Sequence, residues 1–440
     1  MKKRKSMGIP SGLRDLSPKD SAFKDWLVYT IASVYKKYGF LPIETPLVEF
    51  TETLSGEVTD FNLYSVSPSK ERKTGTAQSL SLRFDQTVPL ARYVVDHMSE
   101  LALPFKRSVF GPVFRGETAQ IERGRYRQFD QFDVDIVGSA NIASDIEVLL
   151  CMCDTMNAIV GNGKFIIRTN TRKLLDCLPK LFGFADDKLR AVLIELDKRD
   201  KVSTNLLLAS LVQIGLSEAS ALALIDFGAT TGNPIEVLAK IKSSCGEIQE
   251  AKEAINDLQA VANTLEACGV TEVEFDMSII RGLAYYTGMV FETNLVDAPQ
   301  FGSVYSGGRY DGLVESFGVR ALPAVGASVG VDRLVSALQS MDFIIPNQTK
   351  KVIVLIQDSI ANAYAFKVAN IVRSLGLVCE VYTGGKSKLG DQFAYADKLG
   401  YDYTIVVGTT EQENNSVNLK NQKNREQKTI QLNSLTLKIF

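Results

Sequence analysis

Hydrophobic and polar residues alternate along two neighbouring segments, residues 108–115 and 126–137, with a polar, glycine-containing stretch between them. A period of two interrupted by a turn predicts two antiparallel strands joined by a long loop. In the second segment Tyr126, Gln128, Asp130, Phe132, Val134 and Ile136 fall on one face, and Arg125, Arg127, Phe129, Gln131, Asp133 and Asp135 on the other. Elsewhere the period is helical. Residues 17–38 start with Ser17 as N-cap and Pro18 at the first helical position, and Gly39 ends the run. Residues 40–44 read as a short strand. The Ser-, Thr- and Lys-rich stretch 58–78 reads as a mobile loop. Residues 79–95 pass from a strand into a helix, with Asp85 and Thr87 at the junction, where a carboxylate or hydroxyl caps a helix.

Further on, the pattern predicts a helix at 141–159 and a strand at 164–170. Residues 185–268 are helical, rich in Ala, Leu and Lys, and hold no cluster of catalytic residue types, so their apolar stripes read as the core of an inserted helical domain. Strands follow at 273–276, 289–293, 303–306 and 323–329, with a tight turn and short helix at 307–318 and a helix at 331–341. After a linker at 341–351 strands and helices alternate, which predicts a small α/β domain with a largely parallel sheet. The Asn-, Gln- and Lys-rich patch at 411–428 reads as a surface loop. The resulting division is 1–184, 185–268, 269–345 and 346–440.

Composition narrows the function classes. A chain of 440 residues with 45% hydrophobic and 23% charged residues builds two or three ordinary globular domains. No apolar run is long enough for a bilayer, so no membrane is expected. The basic start MKKRKSM has no apolar run behind it and is no secretory signal. Six cysteines without a CxxC pair read as reduced core thiols of a cytoplasmic protein. The single histidine, His97, leaves no histidine-rich metal site and no Ser-His-Asp triad, and it reads as structural.

Candidate chemistry sits on the strand pair. Arg115 closes its first strand, and Arg123, Arg125 and Arg127 open the second. Planar guanidinium forks bond phosphate oxygens two at a time. Gln131 and Asp135, four residues apart on one face, suit a small polar organic molecule. A solvated, salt-bridged hairpin satisfies the same pattern, and the pattern alone leaves both open.

FRGE at 114–117, followed by RGRYRQFDQ at 123–131, resembles motif 2 of class II aminoacyl-tRNA synthetases, in the form of the histidyl-tRNA synthetase family. RGLAYYTG at 281–288, SGGRYDGLV at 306–314 and PAVGASVGVDRL at 323–334 resemble that family's two histidine-specific motifs and its motif 3. GFLPIETPLVE at 39–49 resembles motif 1, and residues 387–408 resemble the anticodon-binding domain of this subgroup. Four blocks in family order are far more specific than one short motif.

The resemblance implies an α+β class II catalytic domain, an antiparallel sheet flanked by helices, with a helical insertion and a C-terminal α/β anticodon-binding domain. It implies a homodimer formed through motif 1. The implied reaction joins histidine and ATP into histidyl-adenylate and pyrophosphate, then passes histidine to the 3′-terminal adenosine of tRNA(His). Mg²⁺ would accompany ATP, with no metal set made by protein ligands alone. By the same resemblance Arg281 is the catalytic residue, and Arg115, Glu117, Arg125 and Arg333 bind ATP. Asp85, Thr87 and Gln131 would meet the amino group of histidine, Asp135 and Tyr286 its imidazole, and Tyr310 would complete the pocket wall. Gln120, Arg123 and Arg127 are candidates for the tRNA acceptor end. Two positions depart from the family pattern: Ala284 stands where RGLDYY has an acid, and Asp332 stands for the usual Glu. The Asp332 change, one methylene, is tolerable; Ala284 is the one feature that keeps a diverged paralogue, a regulatory subunit or an enzyme with another acceptor, as the alternative.

Overall fold

The Ser17 hydroxyl accepts the Asp20 backbone N–H at 3.2 Å, and the first helix follows as Pro18–Lys37, ended at Tyr38 ahead of Gly39. The structure, a computed structural model, describes residues 8–55, 62–67, 79–199, 202–245, 248–280, 286–312, 314–318, 321–346, 348–358, 361–385 and 388–440. Most of the predicted 58–78 loop, and both Arg281 and Ala284, lie outside the described residues. Contacts divide the chain into two units, Met1–Phe343 and Ile344–Phe440. The helical stretch expected at 185–268 falls inside the first.

In chain order the first unit contains β1 (Leu41–Pro42), β2 (Val48–Phe50), β3 (Ser65–Val66), β4 (Leu80–Leu82), β5 (Phe105–Phe114), β6 (Gln128–Val137), β7 (Phe165–Thr171), β8 (Thr231–Gly232), β9 (Val273–Asp276), β10 (Met289–Leu295), β11 (Tyr305–Arg309) and β12 (Ala324–Gly330). Nine of them form one sheet in the order β1-β5-β6-β12-β11-β10-β7-β9-β8; β2, β4 and β3 make a small second sheet. From β5 through β7 every pairing is antiparallel. The helices Pro18–Lys37, Ile142–Val160 and Val331–Ser340 pack on the central sheet. Their side is marked by Tyr35, whose ring meets Phe132 edge-on at 4.9 Å and whose hydroxyl lies 2.9 Å from that of Tyr305. Because side chains alternate along a strand, Gln131, Asp133 and Asp135 face the other way. The helix Gln249–Ala267 packs against Ile142–Val160 and β7, so the end of the helical stretch is part of this layer.

Two local expectations are corrected. The tight turn expected from residue 307 is instead strand, since β11 runs through Gly307 and Gly308. A Cβ at Gly307 would lie 2.1 Å from the Gly326 carbonyl oxygen, so the glycines here allow close strand approach and not a turn. The patch at 411–428 is not a loop: it holds the end of a short helix, Thr409–Glu413, all of β16 (Ser416–Asn421) and the start of its antiparallel partner β17 (Gln427–Gln431). Val417 and Leu419 are buried and alternate with the half-buried Asn418 and Lys420, a period of two that the polar composition hides.

In the second unit β13 (Lys351–Ile356), β14 (Val378–Val381) and β15 (Tyr403–Val407) are parallel, and β16 and β17 extend the sheet antiparallel beyond β15. Val352 and Val354 join the helix Asn362–Ser374 in one core, while Ile353 and Leu355 join Ala396 and Tyr401 in the other, so both faces are covered. Among the described residues no helix is long and apolar enough to cross a membrane.

One buried ion pair fixes the central helix to the sheet. Arg309, at the end of β11, reaches the carboxylate of Asp145 in the first turn of Ile142–Val160, and its Nη1 donates to the Ser139 carbonyl at 2.9 Å. Arg309→Leu leaves Asp145 charged and buried without its partner, which typically costs about 3–5 kcal/mol. The expected result is a clearly lower urea midpoint for the first unit, followed by circular dichroism.

Candidate active site

Strand register lays one row of residues across the sheet. Arg107 on β5 faces Asp135 on β6, Asp135 faces Gly326 on β12, and Gly326 faces Gly308 on β11. Arg107 is wholly buried, and its Nη2 lies 2.6 Å from Asp135 Oδ2. The Tyr310 hydroxyl donates to the other oxygen of the same carboxylate. The two glycines create the space. A Cβ on Gly326 would lie 1.9 Å from Asp135 Oδ1, and one on Gly308 would lie 2.8 Å from the Tyr286 ring. Asp135, Tyr286 and Tyr310 thus come together over a bare strip of sheet.

Beside that row, Gln131 donates from Nε2 to Ser328 Oγ at 2.9 Å, while its buried Oε1 has no hydrogen-bond partner among the described residues. Asp85 accepts the Val88 N–H at 3.1 Å, so it caps the helix Thr87–Asp96, in which Thr87 is the first residue. Burial pushes the Asp85 carboxyl up to about 6, against the pull of its Val88 bond and of Arg115 and Arg107. Arg107 also donates to the Gln86 carbonyl at 3.2 Å, which ties the Asp85–Thr87 junction to Asp135 through one guanidinium.

At the other end of the hairpin Arg115 donates from Nε to the Phe84 carbonyl at 3.1 Å, with its guanidinium 5.2 Å from the Phe129 ring centre. Gln120 and Arg125 bridge to close the loop. Gly124 sits in the left-handed region at φ 65°, and a Cβ there would lie 2.9 Å from the Arg333 Cα. The loop tip is therefore seated on the first turn of Val331–Ser340, beside Arg333, whose Nη1 donates to the Ser303 carbonyl at 2.7 Å. Glu117, Arg123 and Arg125 are exposed and Gln120 is half-buried. Arg127 is held by the carbonyls of Glu117 and Ser11 at 3.0 and 3.2 Å. Among the described residues no three His, Cys, Asp or Glu side chains group as metal ligands.

Two family models match the chain: one described as histidyl-tRNA synthetase over residues 12–334, the other as an anticodon-binding domain over residues 343–439. The histidine–tRNA ligase of Wolinella succinogenes is 38% identical over 427 residues, 95% of this chain and 94% of that one. The chain belongs to the histidyl-tRNA synthetase family. The histidine–tRNA ligase of Clostridium tetani is 35% identical over 435 residues, 96% of each chain. The crystal structure of histidyl-tRNA synthetase from Nostoc sp. PCC 7120 superposes with a TM-score of 0.87 at 30% identity over 97% of both chains. A Bacillus halodurans structure described as an ATP phosphoribosyltransferase regulatory subunit/histidyl-tRNA synthetase has a TM-score of 0.75 at 22% identity, a likeness of fold alone. The sheet, its helices and the separate C-terminal unit are the class II architecture that the family motifs imply.

Three charged residues of the site escape the family motifs. Arg107 lies one position before the predicted start of the first strand; extending its alternation, Val113–Gly111–Val109, finds it. Arg14 places its guanidinium 3.8 Å from the Tyr126 ring centre and donates to Asp332 Oδ1 at 2.6 Å, a pairing across 318 positions with no local signal. Asp133 shares a face with Gln131 and Asp135 and is only 3% exposed. Burial pushes its carboxyl up to about 7, opposed by Arg107 and reinforced by Asp135. A folded-state value above the unfolded one means the folded protein disfavours the anion, so stability is lost as pH rises from about 4 to about 7. Asp133→Asn removes that loss. Thermal melts should show the variant more stable than the parent by on the order of 2–4 kcal/mol at pH 8, with the difference fading toward pH 4.

Proposed function

We propose that the chain activates histidine with ATP, forming histidyl-adenylate and pyrophosphate, and then transfers histidine to the 3′-terminal adenosine of tRNA(His). The observation that carries this reading is the row Arg107–Asp135–Gly326–Gly308 with Tyr310 and Tyr286 over it. It makes a fixed, buried hydrogen-bond acceptor in a space cleared by glycines, suited to an imidazole N–H. A site whose buried polar groups need a specific partner rejects analogues that lack it. Asp85, Thr87 and Gln131 meet the ammonium end of the same substrate.

In the first step the histidine carboxylate attacks the α-phosphate of ATP, so two negative groups must approach. Arginine stays protonated, bonds several phosphoryl oxygens and does not compete for the proton. Arg115, Arg125 and Arg333 hold the nucleotide, and Arg281, assigned from RGLAYY, meets the α-phosphate and the substrate carboxylate. Mg²⁺ takes oxygen ligands and keeps several waters, so phosphate oxygens and one acid suffice. Glu117, exposed beside Arg115, is the acid on the loop that suits this role. When bound, the ion adds charge neutralisation at the phosphates.

Arg123 and Gln120 on the same loop are placed for the acceptor end of tRNA. Arg127, whose guanidinium is already engaged, contributes chiefly by holding that loop to residues 11–12. The second unit reads unpaired anticodon bases. The working form is a cytoplasmic homodimer. Five of the six cysteines are buried free thiols, in keeping with a reducing compartment. In and next to motif 1, Leu41 on the edge strand β1, Leu47 and Phe50 on β2 are 60%, 41% and 43% exposed, apolar side chains suited to a second copy. Sedimentation equilibrium should give twice the 48.3 kDa chain mass, and Leu41→Asp should shift it toward the monomer.

The decisive assay is exchange of labelled pyrophosphate into ATP with each of the twenty amino acids and Mg²⁺. Exchange with histidine alone is the expected outcome, and charging of tRNA(His) transcript completes the reaction. Folded protein that exchanges with no amino acid would overturn the reading in favour of a non-catalytic paralogue.

A further inference from the structure

We propose that Arg107 is a positioning residue of the amino-acid pocket: it holds Asp135 as the anionic acceptor for a substrate N–H and locks that acceptor to the loop that meets the substrate's ammonium group. The inference rests on the histidine-activating reading above. Its basis is geometric. Arg107 is 0% exposed, it lies 2.6 Å from Asp135 Oδ2, and the same Nη2 donates to the Gln86 carbonyl at 3.2 Å, between Asp85 and Thr87. One planar group therefore sets the distance between the two ends of the pocket.

Packing does not explain an arginine here. Its Nε and Nη1 are buried without a hydrogen-bond partner among the described residues. Apolar side chains of similar volume often replace buried ion pairs at no loss of stability. What an apolar side chain cannot supply is the charge. Asp135 is surrounded by Asp133 on its own strand, Asp85 from the helix junction, and the hydroxyls of Tyr310 and Tyr286, while Glu292 on β10 also acts on Tyr286. Arg83 and Arg115 are the nearest other cations, acting on Asp133 and Asp85. Of all these groups Arg107 most strongly favours the Asp135 anion, against burial. Without it burial acts on the Asp135 carboxyl with only the Tyr310 bond opposing, which shifts it further toward the protonated form that cannot accept there.

The test compares Arg107→Met and Arg107→Lys with the parent in histidine-dependent pyrophosphate exchange from pH 6 to 8, with melting temperatures in parallel. For Arg107→Met the histidine KM should rise by about tenfold or more at pH 7, because a tenfold change in the proton affinity of Asp135 changes the ionised fraction by nearly as much once the protonated form dominates. The ratio of variant to parent KM should grow toward pH 6, while the KM for ATP stays near the parent value. Taking the ratio cancels the titration of the substrate's own imidazole. Should Arg107→Met fail to fold, Arg107→Lys carries the test, because an ammonium keeps the charge and loses the planar fork. Its histidine KM should rise with little added pH dependence. A flat KM ratio in Arg107→Met, or an unchanged histidine KM in Arg107→Lys, would overturn the inference while leaving the functional reading intact. A parent that neither exchanges nor binds histidine would overturn both.

Discussion

Arg107 and Asp135 face each other across β5 and β6, and that register decides what the sheet can do. A slip of one residue turns every side chain to the opposite face, so the same error would expose Phe132, Val134 and Ile136 and bury the pocket's carboxylates among the helices. The apolar face resists the slip through contacts such as Tyr35 with Phe132, and the polar face resists it through the ion pair. Core and site are thus two readings of one alternation. In the dry interior an ion pair is both stronger and more costly to leave half-made, which makes the pairing specific even where its net contribution to stability is small.

The phosphate end is organised by a second carboxylate. Asp332 receives the Arg14 guanidinium on one oxygen and the Asp130 backbone N–H on the other, both at 2.6 Å. It joins the start of the chain, the motif 2 strand and the motif 3 helix at one point, next to Arg333. Lys24 on the first helix pairs with Asp130 and adds a fourth element. Both oxygens of Asp332 are engaged at short range, so the side chain one methylene shorter than the family's usual Glu is fully used. Gly124 then brings the motif 2 tip onto the same helix, a contact that leaves no room for a Cβ. The motif 2 loop and Arg333, remote in sequence, are thereby brought side by side.

Much of this is legible in the sequence. The helices at 18–37 and 142–160, the hairpin, and the α/β end of the chain follow from caps, glycines and clean periodicity, and the structure has them within a few residues. Asp85, Thr87, Gln131, Asp135, Tyr286 and Tyr310 stand in the motifs, and the strands and helix junction that carry them converge. What escapes depends on pairing over distance. Arg14 with Asp332, or Arg107 with the Gln86 carbonyl, leaves no trace in local period. The strands β16 and β17 escape for a different reason, because Asn, Gln and Lys fill their solvent face and hide the buried Val417 and Leu419. Gly307 and Gly308 read both as turn residues and as sites of close backbone approach, and only the second holds, within a strand.

The buried charges also bear on why such a pocket is built at some cost. Asp85, Asp133 and Asp135 share the field of one fully buried guanidinium, with Arg115 acting on Asp85 and Arg83 on Asp133. The carboxyls of Asp85, near 6, and Asp133, near 7, are raised chiefly by burial, to which Asp135 adds at Asp133. On the proposed function, histidine brings an ammonium group and a ring N–H donor to these carboxyls. On that same reading its positive charge favours the ionised carboxylates, which offsets part of the cost of burying them. A neutral isostere would leave that cost in place. Selectivity, on the proposed function, comes from buried carboxyls that only a ligand with matching donors satisfies.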